Sequence, residues 1–360
     1  MCNRRMERYD GVWKESVNGG SDVWSSSQFS SSADHLVVMV NGILGSATDW
    51  KFAADQLVRT FPDKVIVHRS ERNVSKLTLD GVDVMGERLA QEVIEVIQRK
   101  PKVRKISFIA HSIGGLVARY AIGRLYRAPR KGDLDDLSSG KEDVDSRSTI
   151  AGLEAMNFIT VASPHLGSRG NKQVPFLFGV TVFEKAACNV IHWIFRRTGK
   201  HLFLTDNDGG KCPLLQRMVD DDGDLYFMSA LRAFRRRVVY SNVGYDHIVG
   251  WRTSSIRRNC ELPKWEDSVS ERYPHIVYEE HSKANDSEQS ELVSVVDDGS
   301  DVLEEKMVAG LSCVSWEKVD VSFHSIKLRF AAHSVIQVKD HFMHSEGADV
   351  ILHMIDHFLT

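Results

Sequence analysis

The chain has 360 residues, a formal net charge of -3 and a hydrophobic content of 42%, which can supply a sizeable core. The near-balanced charge argues against general nucleic-acid affinity. Five scattered cysteines (Cys2, Cys188, Cys212, Cys260 and Cys313) lack C-x-x-C spacing, so neither a disulfide framework nor a zinc knuckle is expected and a reducing compartment fits better.

The first residues, M-C-N-R-R-M-E-R-Y-D, lack the apolar centre of a secretory signal. No run reaches the ~18 apolar residues of a membrane span. The expectation is a cytoplasmic protein, at most peripheral on intracellular membranes. Residues 1–33 are polar and end in the serine-rich S-S-S-Q-F-S-S-S, which reads as an N-terminal tail; one folded domain is expected over 34–360. Leu36–Val40 is a continuous apolar run suited to a buried parallel strand. A helix-like stretch, Trp50–Thr60, leads to a second run at Val65–Val67. Within Gly81–Arg99, Val82, Met85, Leu89, Val93 and Val96 recur at helical spacing. A third strand, Ile106–Ala110, runs into a helix carrying Leu116, Val117, Tyr120 and Ala121. The order β-α-β-α-β-α predicts an α/β fold with a mostly parallel sheet and helices on both faces. Later strands are expected at Met156–Val161, Val238–Val243 and Val319–Phe323, and a closing helix at Asp349–Leu359.

Insertions are expected at about 127–149, 168–228 and 252–312. Glu266–Glu305 is acidic and poor in apolar residues, which reads as a mobile segment. Val174–Phe195 is unusually apolar for a connection; a lid that touches a membrane surface and a core helix pair account for it equally.

The chemistry centres on I-S-F-I-A-H-S-I-G-G-L-V-A-R-Y, Ile106–Tyr120. Ser112 stands between strand and helix, with Ala110 two residues before it and Gly114 two after, matching the nucleophile elbow G-x-S-x-G with alanine in the first position. Such a sharp turn forces the serine to positive φ and lifts its hydroxyl clear of the backbone. The helix N-terminus points free N–H groups at the place where an oxyanion would form.

A serine hydroxyl needs a base, and the base an orienting carboxylate; in this fold they follow in the order Ser, Asp or Glu, His. Asp246 lies just after the strand Val238–Val243, in N-V-G-Y-D-H-I-V. Asp220, Asp221, Asp222 and Asp224 compete, but no strand precedes them and they lack the spacing of a calcium loop; they read as a solvated turn. Of the later histidines, His333 occupies a loop-like point in A-A-H-S-V-I-Q-V, with His341 and His344 as alternatives. His353 and His357 read as surface or cap residues of the last helix. Neither His341-x-x-His344 nor His353-x-x-x-His357 has an obvious further ligand, so no metal or other cofactor is expected. The first strand ends in N-G-I-L-G-S. The N–H of Ile43, with Leu44 second, is the candidate oxyanion donor beside that of Ile113.

N-G-I-L-G after the first strand, the A-H-S-I-G-G elbow, V-A-S-P-H-L-G at Val161–Gly167, N-V-G-Y-D-H-I-V at Asn242–Val249 and A-A-H-S-V-I-Q-V at Ala331–Val338 together resemble the DUF676 family of lipase-like serine esterases. The resemblance implies an α/β-hydrolase fold, a triad of Ser112, Asp246 and His333, and hydrolysis of acyl-ester or lipid substrates. One departure is Asn41, where many lipases have histidine before the glycine. The S-P-H-L-G motif carries no catalytic role, and His165 is expected to buttress the sheet edge. Two readings from other classes remain open: a non-catalytic hydrolase fold that binds a lipid or a protein, and an acyltransferase.

Overall fold

In the computed structural model of the chain, the described residues are 5–9, 12–17, 20–25, 32–129, 147–168, 195–266, 270–284 and 302–360; for the first three stretches only the backbone is described. The apolar segment 174–195 falls almost wholly outside them, as does most of the 127–149 insertion, whose ends pair as a short antiparallel bridge between Tyr126–Arg127 and Thr149–Ile150.

The strands, in chain order, are β1 (Arg5–Tyr9), β2 (Val12–Val17), β3 (Gly20–Ser25), β4 (His35–Val40), β5 (Val65–Ser70), β6 (Lys105–His111), β7 (Glu154–Val161), β8 (Arg236–Asn242), β9 (Ile276–Ser282) and β10 (Trp316–Val321). They form one ten-stranded sheet in the order β1-β2-β3-β5-β4-β6-β7-β8-β10-β9. The run from β5 to β10 is parallel throughout. Antiparallel strands close both sides, β9 on β10 and β1 to β3 on β5.

Helices α1 (Lys51–Thr60), α2 (Val82–Arg99), α3 (Ile113–Leu125), α4 (Phe227–Ala233), α5 (Val302–Leu311) and α6 (Ala348–Asp356) cover the two faces. The side-chain period of two divides β4 between two cores. Leu36, Val38 and Val40 join α2 and α3 on one face, while Val37 and Met39 join α1 and α6 on the other. A strand buried on both faces must be apolar along its whole length, which is how this one reads. The order of strands and crossovers is that of the α/β-hydrolase fold.

Two sequence expectations are corrected. Residues 1–33 are not simply a tail, because three strands within them extend the sheet; an open edge at β5 offers unpaired backbone groups, and β3 satisfies them from Gly20↔Ser70 to Val23↔Val67. The acidic stretch contributes regular structure, namely β9 and the first turn of α5. Three of its carboxylates are paired: Glu280 with Arg257, Glu304 with Arg252 and Glu305 with Arg258.

Candidate active site

The site lies where the parallel strands end. β6 turns into α3 at Ser112, which has φ 55° and ψ -133°. Its amide donates to Val161 O (2.9 Å), tying the turn to the neighbouring strand. Gly114 is required by close approach. A Cβ there would stand 2.6 Å from Asn41 O and 2.8 Å from Val40 O, where β4 ends and its loop begins. Gly42 is as tightly placed from the other side, since a Cβ on it would meet Ser112 Cβ at 2.9 Å. The loop after β4 therefore lies directly over the serine. Ser112 is only 3% exposed, and its hydroxyl makes no hydrogen bond among the described residues.

Asp246 follows β8, where Tyr245 takes a left-handed conformation (φ 59°) and turns the chain. Asp246 Oδ1 accepts from the amides of Ile248 (3.0 Å) and Val249 (2.8 Å), and Oδ2 accepts from Asn242 Nδ2 (2.9 Å). His333 is the second residue of the short helix Ala332–Val335 beyond β10, and its Nδ1 lies 2.9 Å from Asp246 Oδ2. Burial alone would raise the Asp246 carboxyl. The adjacent His333 ring and its hydrogen bond, then those from Val249 and Asn242, outweigh this and hold it below the ordinary aspartate value. An ionised carboxylate on Nδ1 keeps the proton there and leaves Nε2 with a free lone pair.

The histidine alternatives are placed elsewhere. His341 stacks on Phe52 with ring centroids 4.9 Å apart, and His344 Nδ1 accepts from the amide of Asp340 (3.0 Å). His353 is not a surface residue: it is 1% exposed and hydrogen-bonds Tyr240 OH through Nδ1 (2.9 Å). His357 fits the capping reading, its Nδ1 meeting His353 O at 2.8 Å. Of the aspartate run, Asp221 caps α4 through the amides of Met228 and Ser229.

The oxyanion candidates separate. Leu44 N is already committed to Thr78 Oγ1 (2.8 Å), which removes it as a donor to substrate. Ile43 and Ile113 have no partner for their amides among the described residues. Asn41 explains its own presence, since Nδ2 donates to Gly42 O (3.1 Å) and Asn73 O (3.0 Å) and braces the loop that carries Ile43.

Sequence reasoning passed over two neighbours. Asn242 sits in the same motif as Asp246, four residues earlier, where its amide could have been read as a partner. His111, next to Ser112, donates through Nε2 to His333 O (2.7 Å), and its ring packs 4.5 Å from the His333 ring. Burial first, and the His333 ring second, hold the His111 pKa far below the ordinary histidine value. His165 is structural: it is fully buried, its Nε2 bonds Thr160 Oγ1 (2.8 Å), and it follows a central strand, not an edge.

Among the described residues, no helix is long and apolar enough to cross a membrane. The chain is similar to the yeast protein "Putative lipase ROG1" of Saccharomyces cerevisiae, 30% identical over 229 residues, covering 62% of this chain and 28% of that one. It is also similar to "Putative lipase YDR444W" of the same yeast, 26% identical over 70% of this chain and 37% of that one. The chain thus spans about a third of the length of these two relatives. Among solved structures it is similar to carboxyl esterase 2 of Tuber melanosporum (10% identity, 97% and 86% of the two chains, TM-score 0.42). It is likewise similar to the Pyrococcus furiosus esterase PF2001 (14% identity, 70% and 74%, TM-score 0.36). The profile of the family described as "Putative serine esterase (DUF676)" matches residues 30–260, well over half of the chain, and the protein belongs to that family.

Proposed function

We propose that the protein hydrolyses carboxylic esters of acyl or lipid substrates through an acyl-serine intermediate. The observation that carries this reading is the Asp246–His333 hydrogen bond of 2.9 Å, on a histidine whose carbonyl meets His111, the chain neighbour of an elbow serine at positive φ. In the proposed first step, Ser112 Oγ attacks the ester carbonyl while its proton passes to His333 Nε2. The tetrahedral oxyanion is held by the amides of Ile43 and Ile113. Its collapse breaks the C–O bond, and the proton on Nε2 goes to the departing alkoxide. Water then repeats the sequence on the acyl-serine, releasing the acid and restoring the hydroxyl. Asp246 keeps the ring oriented and stabilises the imidazolium in both halves.

The side chains around the mouth favour an apolar acyl group. Leu44, one residue from Ile43, is 57% exposed, and Tyr245, one residue from Asp246, packs edge-on against the exposed Phe330. Peripheral contact with a lipid surface through such residues is part of the proposal.

The test is Ser112→Ala with a chromogenic short-chain ester. Turnover is expected to fall by about 10³–10⁶, with the unfolding midpoint unchanged. A fluorophosphonate should label the wild-type serine and not the variant. Full turnover in the variant would refute the mechanism, absent labelling would favour a binding-only fold, and transfer to an added alcohol would favour acyl transfer.

A further inference from the structure

A second site lies away from Ser112. A cavity of about 600 Å³ opens between the first turn of α2 and the segment from Arg196 to Arg217. Five cations line it: Arg196, Arg197 and Lys200 on the helical stretch 195–202, then Lys211 and Arg217. Against them stand the carboxylates of Asp83 and Asp206. The His201 ring and the Cys212 thiol complete the described residues of its wall.

The pairing inside leaves positive charge uncancelled. Arg197 pairs with Asp83. Arg217 Nη1 reaches Asp222 (2.8 Å), yet its Nε is buried without a hydrogen-bond partner among the described residues. Arg196 is exposed, has φ 48°, and makes no ion pair among the described residues; neither does the exposed Lys211. Asp206 Oδ2 accepts from the amide of Leu214 (2.8 Å) and lies 3.7 Å from His201 Nε2, while its Oδ1 is buried without a hydrogen-bond partner among the described residues.

The frame is built, not incidental. Thr198 Oγ1 accepts from Gly81 N (3.0 Å) and donates to Thr78 O (2.9 Å), while His201 Nδ1 accepts from Val82 N (3.0 Å). The amides of Gly81 and Val82, at the start of α2, are consumed by these contacts, so the attraction for an anion is argued from the side chains. A wall on which five guanidinium and ammonium groups outnumber two carboxylates suits a compact ligand of high negative charge; arginine forks match phosphate oxygens in pairs.

We propose that this cavity binds a phosphate group carrying two or more negative charges, as a phosphomonoester or a pyrophosphate. Ser112, Asp246 and His333 do not line it, so the proposal stands apart from the hydrolase reading.

The exposed thiol of Cys212, on the cavity wall, is a built-in reporter. Its alkylation by neutral iodoacetamide can be followed by peptide mass spectrometry at matched ionic strength, with exposed Cys260 as the internal control. Pyrophosphate at about ten times its dissociation constant should slow Cys212 about tenfold and leave Cys260 unchanged. The double variant Arg196→Ala, Lys211→Ala should lose that protection, while unaltered labelling of half-buried Cys313 shows that the variant is folded. Vesicles of phosphatidylcholine containing phosphatidic acid separate the sources. Protection by them as well as by pyrophosphate assigns a lipid headgroup, and protection by pyrophosphate alone assigns a soluble phosphate. Undiminished Cys212 labelling with both, or protection that survives in the folded double variant, overturns the proposal.

Discussion

The elbow at Ser112 and the loops carrying Asp246 and His333 reach the same spot by different means. The serine is held by covalent neighbours: a strand that becomes a helix within one residue, with Gly114 under the loop from β4. Asp246 and His333 are 87 residues apart and meet only because β8 and β10 lie side by side and end on the same edge. A local device tolerates change far away in the chain. An assembled one depends on every contact that aims its two halves, here Asn242 and the amides of Ile248 and Val249 on one side and His111 on the other.

Breaking the assembled half should cost most. Asp246→Asn can keep its carbonyl on the Ile248 and Val249 amides, so the fold should survive. Its NH₂ would then face His333 Nδ1 and force the proton to Nε2, the nitrogen that accepts from Ser112 in the proposed mechanism. Turnover of a short ester is expected to fall about 10⁴-fold, with little movement of the urea midpoint. A loss below tenfold would show that Asp246 does not orient the base.

That contrast also decides what could be read from the sequence. Ser112 announced itself because the requirement for small neighbours is local. Asp246 and His333 were proposed from chain order, from their places after a strand and at a loop-like point, and from the family resemblance; of the three candidate histidines, His333 is the one that the structure pairs with Asp246. The competition for Leu44 N was invisible, since Thr78 is 34 residues away. The N-terminal strands were missed for another reason. A serine-rich composition outweighed two short signals, Asp10-Gly11 and Asn18-Gly19, each standing between stretches that pair as antiparallel strands. In the acidic stretch, charge was read as a sign of mobility where arginines 252, 257 and 258 pair with Glu304, Glu280 and Glu305.

A smaller effect is expected from the local half. Gly114→Ala would drive a methyl group into two backbone carbonyls that cannot both retreat. A loss of about 1–3 kcal/mol in unfolding free energy is expected. Activity should also fall, because the displaced loop carries Ile43. A variant of unchanged stability would mean that the β4 loop is free to move and that the elbow is less constrained than its geometry indicates.

The smallest effect sits where the two halves touch. His111 belongs to the elbow but holds the backbone of His333, and its depressed pKa keeps it neutral, with Nε2–H as the donor. His111→Gln can supply a donor to the same carbonyl; His111→Leu cannot. Turnover in the leucine variant should fall about tenfold from misplacement of the base, with substantial recovery in the glutamine variant and KM little changed in either. The same ring makes a second, independent prediction. The unfolded chain takes up a proton on His111 near pH 6.5 while the folded chain does not. Its presence therefore lowers stability as pH falls below that value, by about 1.4 kcal/mol per pH unit until the folded-state pKa is reached. Urea midpoints between pH 7 and 5 should accordingly decline less steeply in both variants than in the wild type. If the leucine variant keeps full turnover while its pH slope flattens, His111 is a buried neutral ring and nothing more, and the base is aimed by Asp246 alone.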